Sequence, residues 1–428
     1  MRVTTAFNKM LGIPGATVIS VAFCPEGVVV GLRRRFRRVT CPCGWSTRAC
    51  YDRSTRRWRH LDLGACRLLL ESEVRRLYCG ACGRVRTEAV PWARPGARHT
   101  RDLEDVVAYL AQRVDKTTIS RLLRISWETV SGIVIRVVAE HLDPGRLDGL
   151  YRLGVDEVSY RSHHRYLTIV ADHDRDGAVV WAGDGKTAAT LASFYQQLGE
   201  QRCRRLEAVS LDLGGAYRAA TTTHAPQATQ CVDPFHVVKL ANTALDKTRS
   251  HETAQLRQGW QPPPKRPVGR PPSDTPPRPA DPGQWTKHTR WALLKDPQHL
   301  NRPQRDILDQ LRRQRSVLYR AWLLKEDLRD LYRLPDPTHA PGHLDRWLAS
   351  ACRSRIPAFV TLSRTIRRHR QAILAAIELG LSNSKLEGIA SKIRLINHRG
   401  YGHHTAAALI SMIYLCCGGI TIQLPTQR

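Results

Sequence analysis

Residues 152–161 read RLGVDEVSYR, residues 164–174 HRYLTIVADHD and residues 177–185 GAVVWAGDG. Each run is dense in Val, Ile, Tyr or Trp and ends at Gly, Asp or His, which predicts three successive β-strands joined by short turns. A helix is predicted from about Thr187 to Glu200. LEAVSLDLGGAYRAA (206–220) then reads as a buried strand ending in Asp212 and turning at Gly214-Gly215 into a helix. ATQCVDPFHVVKLANTAL (228–245) repeats that pattern, its helix starting at His236.

A three-strand meander followed by alternating helices and strands is the order of a ribonuclease-H-like domain. With the first and fourth strands adjacent and parallel, Asp156 and Asp212 face one another near the middle of the sheet. Alternation along a strand sends Glu157 to the face opposite Asp156. Val155 and Leu211 beside the two aspartates mark each as a charge interrupting a buried strand, which is costly without a compensating cation.

Working outward, the chain has 428 residues, of which 42% are hydrophobic, enough for several domains with real cores. Lys and Arg number 67 against 38 acidic residues, a formal charge of +29 that calls for a polyanion such as DNA or RNA. No apolar run is long enough to span a bilayer, so no membrane partner is expected. The opening MRVTTAFNKMLGIPGATVISVAF has no convincing cleavage site. The expected location is cytoplasmic, associated with the nucleoid.

The twelve cysteines are read as thiols or metal ligands rather than disulfides. Cys41-Pro42-Cys43-Gly44 and Cys79-Gly80-Ala81-Cys82-Gly83 place two thiol pairs on short turns, each followed by a glycine that lets backbone amides turn toward sulfur. Cys41, Cys43, Cys79 and Cys82 can supply four thiolates to one structural Zn²⁺; buried free thiols are the alternative. The first pair is C-x-C rather than the commoner C-x-x-C, and Cys50 and Cys66 are reserve ligands. RRWRHLDLG (56–64) and ACRLLLESEVRRLYC (65–79) read as hairpin strands with basic faces. Arg33, Arg34, Arg35, Arg37 and Arg38 are expected to meet phosphates.

DLEDVVAYLAQ, TTISRLLRI and SWETVSGIVIRVVAEHL, between residues 102 and 142, form three helical segments. Thr100 or Asp102, Thr117 and Ser126 are the expected caps. Ile119, Leu122 and Leu123 fall on one face of the second helix; Val130, Ile133, Val134 and Val137 fall on one face of the third. A short helix, a turn at Ile125-Ser126 and a longer helix make a helix-turn-helix, although an ordinary three-helix packing unit has the same pattern. Trp127, Glu128, Thr129 and Ser131 then open the recognition helix and are candidate DNA contacts.

Residues 250–285 include QPPPKRPVGRPPSDTPPRPADPG, a Pro-rich linker in which Pro264–Pro271 reads as a flexible tether or, less simply, a minor-groove hook. Residues 286–378 are helical, with Arg-rich stretches. The closing LSNSKLEGIASKIRLINHRGYGH (381–403) starts a helix at Ser382 or Asn383 and sets a third carboxylate, Glu387, in its first turns. Lys385, Lys392 and Arg394 flank it as candidate DNA-backbone contacts. Asp233 and His236 are read as either supporting the site or structural; His398, His403 and His404 are read as either phosphate contacts or solvated histidines beside Arg399.

Taken in order, the cysteine module, the helix-turn-helix, GVDE, LDLGGAY, VDPFHVVKLAN and SNSKLEGIASKIRLINHRGYG resemble transposases of the ISL3 family of bacterial insertion sequences over nearly the full length. The resemblance implies a DDE triad at Asp156, Asp212 and Glu387, with a helical insertion in the 174 residues between the last two. It implies two Mg²⁺ (or Mn²⁺) ions on those carboxylates. Water then releases a 3′-hydroxyl at the element's end, and that hydroxyl attacks target DNA. The expected organisation is α/β (α+β multidomain): a zinc-binding module (1–95), a helix-turn-helix (96–148), a ribonuclease-H-like core in two parts (149–248 and 381–428), and the linker with its helical insertion (249–380). Double-stranded DNA is the expected partner, with a homodimer or higher oligomer holding two element ends. The competing reading is a zinc and helix-turn-helix regulator, or an inactivated transposase, without catalysis.

Overall fold

The computed structural model describes residues 2–161, 165–261, 281, 283–314, 316–403 and 405–427, and of 285–288 only the backbone. The expected minor-groove segment at Pro264–Pro271, and His404, lie outside the described residues.

The chain opens with α1 (Val3–Leu11) and strands β1 (Ala16–Cys24), β2 (Gly27–Arg34), β3 (Val39–Thr40), β4 (Ser46–Thr47), β5 (Asp52–Arg59), β6 (Leu68–Cys79) and β7 (Arg84–Thr87). The order β1-β2-β6-β5 makes one sheet, with β7 paired to the far end of β6. The predicted hairpin is the antiparallel β5–β6 pair, running from Asp52↔Arg76 to Arg59↔Leu69. Trp58, Leu68, Leu70, Val28, Val30 and Trp92 fill the core beneath it.

Next come α2 (Arg101–Ala111), α3 (Lys116–Leu123) and α4 (Trp127–His141). Thr100 and Ser126 cap the first and third as predicted, accepting from Leu103 N–H and Thr129 N–H. Asp115, not Thr117, caps α3, because it is the last extended residue before the helix and its carboxylate accepts from Thr118 N–H. Arg124, left-handed at φ 53°, makes the turn into α4. Val130, Ile133, Val134, Val137 and Ile119 are buried as predicted. Leu122 is not: it is 62% exposed, since eight residues of helix present only a narrow inner face.

The second sheet is built from β8 (Arg152–Arg161), β9 (Arg165–Asp172), β10 (Ala178–Asp184), β11 (Ala208–Leu211) and β12 (Thr229–Val232). Its connecting helices are α5 (Ala188–Leu198), α6 (Glu200–Cys203), α7 (Gly215–His224) and α8 (Pro234–Leu256). The strand order is β10-β9-β8-β11-β12. The three-strand meander is antiparallel, whereas β8, β11 and β12 run parallel. Helix α8 starts two residues before the expected His236, with Pro234 in its first turn where a missing N–H costs nothing. It also runs past residue 248.

Among the described residues, six α-helices follow where a helical segment was expected: α9 (Gln284–Leu294), α10 (Arg302–Arg313), α11 (Val317–Asp330), α12 (Ala340–Arg353), α13 (Pro357–Arg368) and α14 (Arg370–Glu378). They pack around Trp347, Phe359, Leu344 and Leu328, and α8 contributes Val237, Ala241 and Leu245 to the same core. Ala376 and Leu381 then meet Ala208 and Cys231, which returns the chain to the sheet. From there run α15 (Ser384–Arg399) and α16 (Ala406–Cys417).

The sheet buries both faces. Leu153 and Val155 of β8 join the core beneath α5 and α7. Val158 and Tyr160 join a core with Ile393 and Ile396 of α15 and Ile413 of α16, and that core continues into Ile133 and Val137 of α4. Helix α16 (AAALISMIYLCC) is apolar all round, so it needs partners on two sides and finds them in β10 and α4. Gln112 donates to Leu415 O at 2.8 Å, and Arg399 donates to Ala111 O at 2.9 Å. The helix-turn-helix is thereby docked on α16 and on α15, the helix that carries Glu387.

Candidate active site

The parallel β8–β11 register pairs Val209 with Leu153 and Ser210 with Gly154. Carried two residues further, it sets Asp212 opposite Asp156, one step beyond the end of β11. Asp156 shares a face with Gly154 and Val158, the side covered by α15. Gly154 is what allows that cover to come close: a Cβ there would lie 2.7 Å from Leu386 Cδ1 and 2.9 Å from His173 Nε2. Leu386 precedes Glu387, so the glycine in GVDE sets how near the helix-borne glutamate stands to the strand-borne aspartates.

Asp156 Oδ1 accepts from Glu157 N–H at 2.7 Å, and Asp212 Oδ1 accepts from Gly214 N–H at 2.8 Å. Glu387 Oε1 is buried without any hydrogen-bond partner. Among the described residues, no Lys or Arg forms an ion pair with any of the three. In a chain of net charge +29 that is an unusual vacancy around three carboxylates. Burial raises the Asp156 carboxyl above its ordinary value, and Asp233 and Asp212 push the same way. Burial also raises Glu387, reinforced by Asp233 and Asp156. Glu157 stands 3.9 Å from Lys186; burial raises its carboxyl, and Asp212 and Asp156 push the same way.

A cation is the counter-charge such a group lacks. The donors are all oxygen, which suits Mg²⁺ or Mn²⁺, and the unpartnered Oε1 of Glu387 is available to a metal. The donor chemistry is the one those ions take, but Asp156, Asp212 and Glu387 do not bring one oxygen each within 4.8 Å of one another.

Behind the carboxylates runs a buried polar chain that sequence reasoning did not assemble. Asp233, 1% exposed, accepts from Asn383 N–H at 3.0 Å and from His236 Nδ1 at 3.0 Å. Ser210 Oγ donates to Asn383 Oδ1 and accepts from His173 Nε2 at 2.8 Å. Asn383 O in turn accepts from Glu387 N–H at 2.8 Å. Asp233 and His236 thus tie β12 and α8 to the first turn of α15. Asn383 is the junction, and its side chain serves this network rather than capping its helix.

The flanking basic residues divide. Lys385 Nζ is paired with Asp176 at 2.6 Å, and Lys392 Nζ donates to Cys416 O at 2.6 Å, so both already hold protein groups. Arg394 is exposed. His403 is buried beside Asn397, so it is neither solvated nor free for phosphate.

Cys41, Cys43, Cys79 and Cys82 bring their sulfurs within 4.8 Å of one another, the only such metal-capable group among the described residues. Cys43 and Cys79 sulfurs are 3.5 Å apart and those of Cys41 and Cys82 3.9 Å, which suits tetrahedral Zn²⁺ with ~2.3 Å bonds. Gly44 (φ 94°) and Gly83 (φ 65°) take left-handed conformations after each pair. The backbone at Trp45 and the Cys41, Cys79 and Cys82 thiols hold the Cys43 pKa down to about 7, while Cys43 and Cys79, with burial, push that of Cys82 up to about 12. Cys50 and Cys66 are not part of the group.

On the helix-turn-helix, Glu128 is exposed at the start of α4. Thr129 shares a 2.9 Å bond with the cap Ser126. Lys116 Nζ, buried, donates to Ser131 Oγ at 2.9 Å and stands 4.5 Å from the Trp127 ring centroid, so those two candidates also brace the turn. Of the arginines before the cysteines, Arg34 is held by Glu88 at 2.8 Å.

A helix-turn-helix docked beside unpaired carboxylates in a strongly basic chain defines an enzyme that works on DNA. Residues 153–413 match a family model described as a transposase, and residues 88–138 match the helix-turn-helix domain of transposase family ISL3. The transposase for insertion sequence element IS1557 of Mycobacterium tuberculosis is 40% identical over 100% of this chain and 98% of its own length. The transposase for insertion sequence element IS1001 of Bordetella parapertussis is 30% identical over 84% of each. The chain belongs to the ISL3 family of transposases: it is a DNA-cleaving and DNA-joining enzyme with a DNA-binding helix-turn-helix. A regulator without catalysis does not account for a transposase match across 153–413.

Proposed function

We propose that Asp156, Asp212 and Glu387 are the catalytic carboxylates of this transposase, carried on a ribonuclease-H-like core. The observation that carries the reading is their lack of Lys or Arg partners, together with the orphaned Glu387 Oε1. The strand order β10-β9-β8-β11-β12 supports the core assignment. The three carboxylates would hold Mg²⁺ or Mn²⁺, which would activate the attacking oxygen and stabilise the leaving one.

The chain's own contribution is placement. Asp156 and Asp212 come from adjacent parallel strands, so their separation is set by the sheet. Glu387 comes from a helix, and its position is set by the Asp233–Asn383 bond and by the close approach at Gly154. His236 has Nδ1 committed to Asp233, which leaves Nε2 to meet a phosphate of the bound strand. The first reaction cuts at the end of the element and frees a 3′-hydroxyl; the second joins that hydroxyl to target DNA.

The remaining parts follow. Residues 96–148 read the terminal inverted repeats through Glu128, Thr129 and their neighbours at the start of α4, while Trp127 and Ser131 brace it. Residues 1–95 carry one structural Zn²⁺ on Cys41, Cys43, Cys79 and Cys82. The core comprises 149–248 and 381–428, with 249–380 inserted, and the chain works as a dimer or larger assembly on DNA in the cytoplasm. No helix among the described residues is long and apolar enough to cross a membrane. Asp156→Asn tests the centre of the reading. Cleavage of an inverted-repeat duplex should be abolished while gel-shift affinity is unchanged, and retained cleavage removes Asp156 from the site.

A further inference from the structure

Phe235 is 49% exposed in the first turn of α8, between two residues of the candidate site. Its neighbours Asp233 and His236 are bonded to each other, and its ring stands edge-on to the His236 ring, 5.7 Å between centroids and 90° between planes. Lys239, one turn on, places Nζ 6.0 Å from the Phe235 centroid and is close enough to Glu387 to lower its carboxyl pKa. Beyond it, Lys239, Asn242, Lys247 and Arg290 line a groove along α8. Asn242 Oδ1 is a buried acceptor with no protein partner, and Asp246 in the same groove is neutralised by Arg249 and Arg290.

Among the described residues the ring's aromatic and cation contacts are the edge of His236 and the ammonium of Lys239, and its half-exposed face has room for a further partner. In paired DNA the base faces are stacked on one another, so such a ring can take a base only after that base has left its pair. The ammonium of Lys239 next to the ring then meets the phosphate of the displaced nucleotide.

Resting on the carboxylate site proposed above, we infer that Phe235 is a base-stacking platform. It takes one unpaired base next to the cleaved phosphate, with the strand continuing along the α8 groove past Lys239 and Asn242. It is a positioning residue for the substrate, whereas Glu387 and the aspartates face the reacting phosphate.

The test compares Mg²⁺-dependent cleavage of two inverted-repeat duplexes by the full chain. One is fully paired, and the other carries mismatches at successive positions flanking the cut. Wild type, Phe235→Ala, Phe235→Trp and Glu387→Gln are run together. Stacking of one base predicts that Phe235→Ala slows cleavage of the paired duplex about tenfold or more. A mismatch at one particular position restores most of that rate, and Phe235→Trp stays within a few-fold of wild type. The stacking claim alone is overturned if Phe235→Ala loses nothing, or loses equally on paired and mismatched duplexes while Glu387→Gln remains inactive. Equal cleavage by wild type and Glu387→Gln overturns the carboxylate site and the stacking claim with it.

Discussion

Asn383 donates its backbone N–H to Asp233 Oδ1 at 3.0 Å, although 150 residues separate the two in sequence. The insertion fills most of that gap. Because α14 packs over β12 and hands the chain back beside Asp233, the helix bearing Glu387 begins at the edge of the sheet whatever lies on the insertion's outer surface. The bond therefore joins the two halves of the proposed core at one buried carboxylate.

Asn383→Ala keeps that backbone bond but leaves Ser210 Oγ without one partner inside the protein. A lost buried partner costs about 1–3 kcal/mol, so thermal unfolding should shift down by a few degrees. The more telling readout is kinetic: kcat should fall at least tenfold with KM for the inverted-repeat duplex little changed. A change confined to KM would assign Asn383 to DNA binding instead.

Gly154→Val should drive Cβ into Leu386 and His173. The expected cost is about 1–3 kcal/mol, with cleavage reduced further because α15 is displaced. Combining it with Leu386→Ala relieves the contact, so the double variant should recover part of both losses. A purely additive double variant would show that the two positions do not press on each other.

The pH response has a definite sign. Asp156 and Glu387 have folded pKa values raised above 3.8 and 4.5. Their contribution to metal-free stability is complete below those values and is lost as pH rises through the raised ones. Mg²⁺ binds the deprotonated forms, so it should raise the melting temperature more at neutral pH than near pH 5. A Mg²⁺ shift that is flat with pH, or larger in acid, contradicts the assignment of these two groups as ligands.

Removing zinc should act on a different part of the molecule. Cys41, just after the two-residue β3, and Cys79, at the end of β6, are buried in a small cluster with Val39 and Leu77 that carries little core of its own. Chelation, or Cys82→Ser, should therefore open residues before 95 to protease while the 149–428 region stays resistant. Stoichiometric zinc should be lost at the same time. One zinc per chain retained by Cys82→Ser would remove Cys82 from the set.

Much of this was legible in the sequence, and the exceptions share a cause. The strands around Asp156 and Asp212 could be read because alternation and glycine punctuation are local signals. The four cysteines could be read because metal ligands have few tolerated spacings. Hidden were the contacts made across distance. Asn383, Ser210 and His173 are ordinary polar residues until the fold lines them up. Gly154 reads as a weak strand residue until Leu386 arrives above it. Lys385 and Lys392 show in the sequence only as charge, and that they also hold Asp176 and Cys416 O does not. Asp115 in place of Thr117 is a smaller miss of the same kind, since the two lie only two residues apart and the backbone decides which one precedes the helix.

The most direct measurement is Mg²⁺-dependent cleavage of DNA carrying the element's terminal inverted repeats, wild type against Glu387→Gln. The substitution keeps the shape of the side chain and removes its charge. The account predicts cleavage at the repeat boundary by wild type only, with equal gel-shift binding by both proteins. Equal cleavage by both would contradict it and remove Glu387 from the metal-binding carboxylates.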